Sequence, residues 1–281
     1  DPQAWVEKDY RKNMFSKELK ISGVTRNILN TPYFHKILFE DNQGKAIGLS
    51  YFKERGYTEE TIKKFQLGYA LNEWEAFTTE ALNKGYNLKY LETTGLTIVK
   101  QDLLAENGTK TFDRFKGRVL FPIHSMSGRV LGFGGRILTN DKKAAKYLNS
   151  PETPVYKKNQ ILYGLDMAKK EIAKNRQVVI VEGYTDVMAA HLSGVITAVA
   201  TCGTAFGDEH IRIIRRLLMD ADAFRGEVIF TFDGDAAGQK AALRAFEDDQ
   251  KFVAQTFVAV EPNGMDPCEL RQAHGDDAVR N

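Results

Sequence analysis

The spacing of apolar residues changes character twice along the chain. Up to about residue 95 the sequence reads as mainly helical. SKELKISGVTRNILNTPYFHKILF is interrupted by Gly and Pro, and TEETIKKFQLGYA opens on Thr58, a helix start. EWEAFTTEALNKGY has helical spacing and closes on Gly85, a residue suited to a helix C-terminus. From about 96 to 165 the period shortens. KGRVLFPIHSMSGRVLGFGGRIL reads as two or three strands, with turns and close backbone approach supplied by SMSG and by the glycines from Gly132 to Gly135. KYLNSPETPVYKKNQILYG then reads as an irregular binding loop. From about 166 onward strand and helix alternate. DMAKKEIAKNR, TDVMAAHLSG, DEHIRIIRRLLMDA and AAGQKAALRAFED are helices, and QVVIV, VITAVATCG, EVIFTF and QTFVAV are short β-branched strands between them.

That alternation predicts a parallel sheet with helices on its faces, so the fold class is α/β. A mixed α+β subdomain is expected over residues 1–165 and a Rossmann-like parallel-sheet subdomain over 166–281. The 281 residues, 43% of them apolar, suffice for one large domain or two small cores. No run of about 18 apolar residues is present to cross a bilayer. The polar N-terminus lacks the apolar stretch of a secretory signal, and its abrupt start suggests a domain cut from a longer chain. Two cysteines, Cys202 and Cys268, do not make a disulfide scaffold, so a cytoplasmic location is expected. The lack of a CxxC or Cys/His cluster argues against zinc in this fragment.

The net charge of +2 hides an asymmetry. Between Lys100 and Arg176 there are 16 Lys and Arg against 7 Asp and Glu. Such a basic stretch suits a polyanion, although a solvated surface would look the same. The acids cluster at the ends of the later strands. QVVIV runs into Glu182, EVIFTF into Asp233 and Asp235, and QTFVAV leads through a short loop to Asp266. Right-handed crossovers bring the carboxyl ends of parallel strands to one edge, where open α/β sheets bind ligands. Glu182, Asp233, Asp235 and Asp266 should therefore surround one crevice, with Asp186 at the start of the following helix pointing back toward it. Glu182, after four apolar residues, should be poorly solvated. Like charges so gathered persist when a cation neutralises them, and hard oxygen donors suit Mg²⁺ or Mn²⁺. Taken singly, Asp186 reads equally as a helix N-cap and Asp233-Gly234-Asp235 as a turn.

Glu182-Gly183-Tyr184-Thr185-Asp186 and Asp233-Gly234-Asp235-Ala236-Ala237-Gly238 resemble the Toprim motif, shared by bacterial primases, topoisomerases of types IA and II, and some nucleases and repair proteins. Upstream, Arg114-Phe115-Lys116-Gly117-Arg118, Phe121-Pro122-Ile123, Gly132-Phe133-Gly134-Gly135-Arg136, Lys146-Tyr147-Leu148-Asn149-Ser150-Pro151-Glu152-Thr153 and Leu162-Tyr163-Gly164-Leu165 resemble blocks of the DnaG-type bacterial DNA primase core, its RNA polymerase part. The resemblance covers essentially the whole chain and is most specific from about residue 110 to 270.

It implies DNA-directed RNA primer synthesis during replication, a nucleotidyl transfer in which a 3′-hydroxyl attacks the α-phosphate of a ribonucleoside triphosphate. Two or more Mg²⁺ or Mn²⁺ ions would be held by Glu182, Asp233, Asp235 and Asp266, with Asp186 a direct or indirect helper. Lys146 would meet nucleotide phosphate or template, with Tyr147 packed nearby. Arg118 and Arg136 would guide the template backbone or an incoming triphosphate, and Asn149 would add a polar contact. Phe133, Tyr147 and Tyr156 are candidates for stacking on single-stranded DNA, a core role being as open for each. The implied partners are a single-stranded DNA template, ribonucleoside triphosphates, the RNA–DNA hybrid product, and the replicative helicase through a domain absent here. The setting would be the bacterial cytoplasm at the replication fork, with no membrane.

One position departs from the family. Many primases carry Asp-Pro-Asp at the third acidic site, where this chain has Asp266-Pro267-Cys268-Glu269. Cys268 is a poor Mg²⁺ ligand, which leaves Glu269 to compensate or a lesser metal site unmade. Two other readings stay open: a different Toprim enzyme, a nuclease or a topoisomerase fragment, and a non-catalytic nucleic-acid-binding module.

Overall fold

The computed structural model describes residues 28–29, 32–102, 104, 108–139, 144–218, 226–232 and 255–281. In chain order the elements are α1 (Tyr33–Glu40), a π-helical segment (Gly44–Leu49), α2 (Ser50–Glu54), α3 (Glu59–Lys64), β1 (Gly68–Ala70), α4 (Ala76–Asn83), α5 (Leu88–Thr93), β2 (Thr97–Gln101), β3 (Thr109–Asp113), β4 (Arg118–His124), β5 (Val130–Ile137) and β6 (Tyr147–Asn149). They continue with β7 (Leu162–Tyr163), α6 (Leu165–Asn175), β8 (Gln177–Val181), α7 (Tyr184–Leu192), β9 (Ala198–Thr201), α8 (Asp208–Leu218), β10 (Glu227–Phe232), β11 (Gln255–Val260), α9 (Pro267–His274) and α10 (Asp276–Arg280). Two units result. One takes residues up to 50 with 63–122 and 129–156, and the other takes 51–62, 123–128 and 157–281.

In the first unit, β1, β4, β5 and β6 form a sheet in that order, and β2 and β3 form a separate antiparallel hairpin. An aromatic core holds it together. Phe34 stacks on Phe77 at 5.2 Å and meets Phe133 edge-on at 5.3 Å. The glycines of β5 permit close packing rather than turns. A Cβ at Gly135 would stand 2.7 Å from the Phe115 ring, and one at Gly132 2.8 Å from Ser150 Oγ. Gly85 follows α4 at φ +82°, and Thr58, which belongs to the second unit, starts α3 as expected, its Oγ1 accepting from the Thr61 amide at 3.2 Å. Leu67-Gly-Tyr-Ala does not continue α3: residues 68–70 pair with β4 as a strand.

The second unit carries the anticipated sheet, in the order β11-β10-β8-β9-β7. The first four strands are parallel, and β7 is an antiparallel edge strand. Strand alternation divides β8 between two faces. Val178 and Ile180 pack with Ile172 of α6 and with Ile211 and Ile214 of α8, whereas Val179 and Val181 line a cavity together with Ala190 of α7, Leu270 of α9 and Val279 of α10. Helices α9 and α10, beyond the last expected strand, close that second face against α7. The expected helix at 236–248 lies outside the described residues.

Candidate metal centre and nucleic-acid interface

Register fixes the geometry of the acidic edge. Phe230 lies opposite Ile180, and Phe232 opposite Val260. Counting two residues on, Glu182 stands level with Phe232, where β10 ends one residue before Asp233. Neighbouring strands are about 4.8 Å apart, so the end of β10 at Phe232 lies beside Glu182. Asp233 and Asp235 themselves lie outside the described residues. A cavity of about 300 Å³ opens at the same edge, and Glu182, Glu261, Met265 and Pro267 all line it, so the loop bearing Asp266 shares it with Glu182. Glu182 is exposed, contrary to the poor solvation expected of it. The apolar run belongs to the strand, and Glu182 stands just past its end.

The other two acids hold backbone. Asp186 is 5% exposed, and its Oδ2 accepts from the Gly183 amide at 2.7 Å. It fixes the Glu182-Gly183 turn at the head of α7. Asp266 is the N-cap of α9. Its Oδ1 accepts from the Glu269 amide at 2.7 Å while Glu269 reaches back to the Asp266 amide at 3.4 Å. Glu269 thus completes the capping box of α9. Cys268 faces inward, 6% exposed, with its sulfur 3.4 Å from the Tyr57 hydroxyl. Burial pushes its thiol pKa up, so it stays neutral. Tyr57 also donates to the Thr185 carbonyl at 3.3 Å, tying the residue beside Asp186 to the residue after Pro267. Nothing in the motif spacing pointed to Tyr57. Among the described residues no three His, Cys, Asp or Glu side chains gather as a metal site. His35, His191 and His210 each contact a backbone carbonyl.

On the basic unit, Arg118 is 6% exposed. Its guanidinium donates to the carbonyls of Gly135 at 3.1 Å, Lys146 at 3.3 Å and Ala145 at 2.9 Å. Burial, and then the nearby Arg114, hold its pKa below the usual value. Arg114 makes a paired contact with the Asn149 carbonyl at 3.2 and 3.1 Å. These two arginines fasten β6 to the sheet. What they present is Lys146, exposed, and Tyr147, 39% exposed and opposite Arg136 in the β5–β6 ladder. Asn149, at the other end of β6, is half-buried opposite Gly134. Phe133 and Tyr156, 4% and 0% exposed, are core residues and cannot stack on a base.

A basic, strand-built unit followed by a parallel sheet with a glutamate at its carboxyl edge defines a Toprim-bearing nucleic-acid protein, and comparison with known proteins agrees. Residues 33–169 match the family described as the DNA primase catalytic core, N-terminal domain, and residues 176–260 match the Toprim domain. The DNA primase of Streptomyces coelicolor is 54% identical over 232 residues, 83% of this chain and 35% of that protein. The crystal structure of the RNA polymerase domain of Mycobacterium tuberculosis primase DnaG is 45% identical, with a TM-score of 0.81 over 94% of this chain and 82% of that one. The same domain in complex with a double-stranded DNA oligomer bearing a 6-nucleotide overhang gives 45% identity and a TM-score of 0.79, over 94% of this chain and 78% of that one. The chain belongs to the DnaG-type DNA primase family. It spans about a third of the length of the curated relatives it matches.

Proposed function

We propose that this chain is the polymerising core of a primase, joining ribonucleotides into short RNA on a single-stranded DNA template. The observation that carries the reading is the register that brings Glu182 level with the end of β10 as it enters Asp233-Gly234-Asp235. The donors suit Mg²⁺ or Mn²⁺: Glu182 is solvent-facing, all are hard oxygens, and the one nearby thiol is turned inward and protonated. Glu182, Asp233 and Asp235 would hold the ions, and Asp266 would add an oxygen from the head of α9. Bound there, divalent cations would supply charge stabilisation for the attacking 3′-hydroxyl and the departing pyrophosphate.

The remaining work falls to the protein. Asp186 and Tyr57 hold the Glu182 turn and the Asp266 loop in place. Lys146 and Arg136, beside Tyr147, take the phosphates of template or triphosphate, with Asn149 near them. Arg114 and Arg118 support that strand from behind. We place the division of labour at a basic subdomain ahead of about residue 165 and a Toprim subdomain after it. A helicase contact and action at the replication fork in the cytoplasm would belong to the longer protein.

Incubating the protein with single-stranded DNA, the four ribonucleoside triphosphates and Mg²⁺ or Mn²⁺ tests this. Short RNA from the parent, and none from Glu182→Gln or Asp233→Asn, is expected. Cleavage of the template instead would make it a nuclease, and neither product would leave a binding module.

A further inference from the structure

A segment far upstream in the chain braces the acidic edge from within the second unit. Helix α2 ends at Gly56, which stands at φ +72°. The Gly56 amide donates to the Lys53 carbonyl at 2.9 Å and the Tyr57 amide to the Phe52 carbonyl at 3.1 Å, the paired bonds of a Schellman turn. The Tyr57 and Phe52 rings then meet at 6.5 Å, both buried. This turn aims the Tyr57 side chain at the heads of two helices, α7 and α9. Gln272 of α9 donates to the Glu54 carbonyl at 3.1 Å, a second tie between α9 and the end of α2.

The contact at Tyr57 has a direction. A phenol has one hydroxyl proton, and here it goes to the Thr185 carbonyl at 3.3 Å. The Cys268 sulfur, 3.4 Å from the same oxygen, therefore donates its S–H. The relay runs from Cys268 to Tyr57 to Thr185 and joins α9 to α7. Each end adjoins a residue of the acidic edge. Thr185 precedes Asp186, which holds the Glu182-Gly183 turn through the Gly183 amide. Cys268 stands two residues past Asp266, the N-cap of α9. Burial raises the thiol pKa, and the charges of Asp266 and Asp186 add to it. A carboxylate in place of the thiol would be a further negative charge in the same buried surroundings, and an ionised carboxylate only accepts. It would draw the Tyr57 proton to itself and leave the Thr185 carbonyl out of the relay. Cysteine thus fits this position better than the aspartate of the Asp-Pro-Asp pattern.

We infer that Cys268 and Tyr57 act together as positioning residues for the metal edge, a two-bond tie that sets the Asp266 loop against the Glu182 turn. The departure from Asp-Pro-Asp is then part of how the site is built. The inference rests on the reading of this edge as a divalent-cation site.

Calorimetric Mn²⁺ titration of the nucleotide-free protein tests it, with Tyr57→Phe, Cys268→Ala, Cys268→Ser, Cys268→Asp and the Tyr57→Phe/Cys268→Ala pair. Residues that orient metal ligands are worth about 10–100-fold in affinity, so Tyr57→Phe and Cys268→Ala should each bind Mn²⁺ about tenfold more weakly. The double variant should be no weaker than either single one, because both break the same tie. Cys268→Ser, which keeps a donor, should bind as the parent does. Cys268→Asp should bind more weakly than the parent despite its added carboxylate. In primer synthesis by Tyr57→Phe, the Mn²⁺ concentration giving half the maximal rate should rise by the same factor as in calorimetry, while the ribonucleotide KM at saturating Mn²⁺ stays at the parent's value. Thermal melts of the metal-free variants accompany the titrations. A lowered melting temperature with parent-like Mn²⁺ binding would make the tie structural only and overturn the inference. Tighter binding by Cys268→Asp would also overturn it, marking the position of Cys268 as a vacant ligand site. Either result leaves the primase reading intact when the parent binds Mn²⁺ and makes primers. A parent that binds no Mn²⁺ overturns both.

Discussion

Arg118 in β4 and Lys146 just ahead of β6 are both basic, yet one is buried and the other exposed. Replacing Arg118 with alanine strips donors from three carbonyls, two of them on the segment leading into β6. A loss of about 2–3 kcal/mol in urea unfolding is expected, and lysine, with no planar fork, should not restore it. Lys146→Ala, at an exposed position, should leave unfolding within about 0.5 kcal/mol of the parent while slowing synthesis. The sequence distinguishes an arginine from a lysine but not an arginine facing carbonyls from one facing solvent, because burial is set by strands that approach from elsewhere. The same holds for Phe133 and Tyr156, equally aromatic with Tyr147 on paper but wholly internal.

Elements explain why the parallel sheet edge was legible while the backbone duties of single acids were not. The β-branched runs, the glutamate after one and the Asp-Gly-Asp after another specified a parallel sheet edge, and strand order and register bear that out. Helix caps are local, and a carboxylate at a helix start serves the backbone whether or not it also meets a cation. Asp266 separates the two duties. Asn caps a helix about as well as Asp, so Asp266→Asn should change stability by only a few tenths of a kcal/mol, while Asp266→Ala should cost about 1 kcal/mol. Calorimetric Mn²⁺ titration of the asparagine variant should nonetheless show weaker binding. Unchanged binding would confine Asp266 to the cap. The strand of residues 68–70 and the helices α9 and α10 escaped the sequence reading for a related reason: three residues are too few to show a period of two, and short polar helices owe their formation to packing rather than to pattern.

For the molecule as a whole, a buried and a half-buried histidine shape its response to acid. His210 accepts from the Gly207 amide at Nδ1, leaving Nε2–H for the Lys158 carbonyl, and burial lowers its pKa. Burial also lowers the pKa of His124, with Asp166 at 3.9 Å partly opposing it. Both are held neutral in the folded state, so the unfolded chain takes up protons first. Stability should be at its plateau above about pH 6.5, decline as pH falls below that value, and stop falling on their account once pH is under the depressed folded values. Urea melts between pH 8 and pH 5 would read this, and His210→Asn should flatten the curve. The central claim concerns the sheet edge, and the most direct measurement is the initial rate of ribonucleotide incorporation on single-stranded DNA against Mg²⁺ or Mn²⁺ concentration, for the parent, Glu182→Gln and Asp233→Asn, each verified as folded by circular dichroism. The account predicts a saturable metal dependence for the parent and a fall of at least about a thousandfold in both variants. Parent-like incorporation by either variant would contradict it.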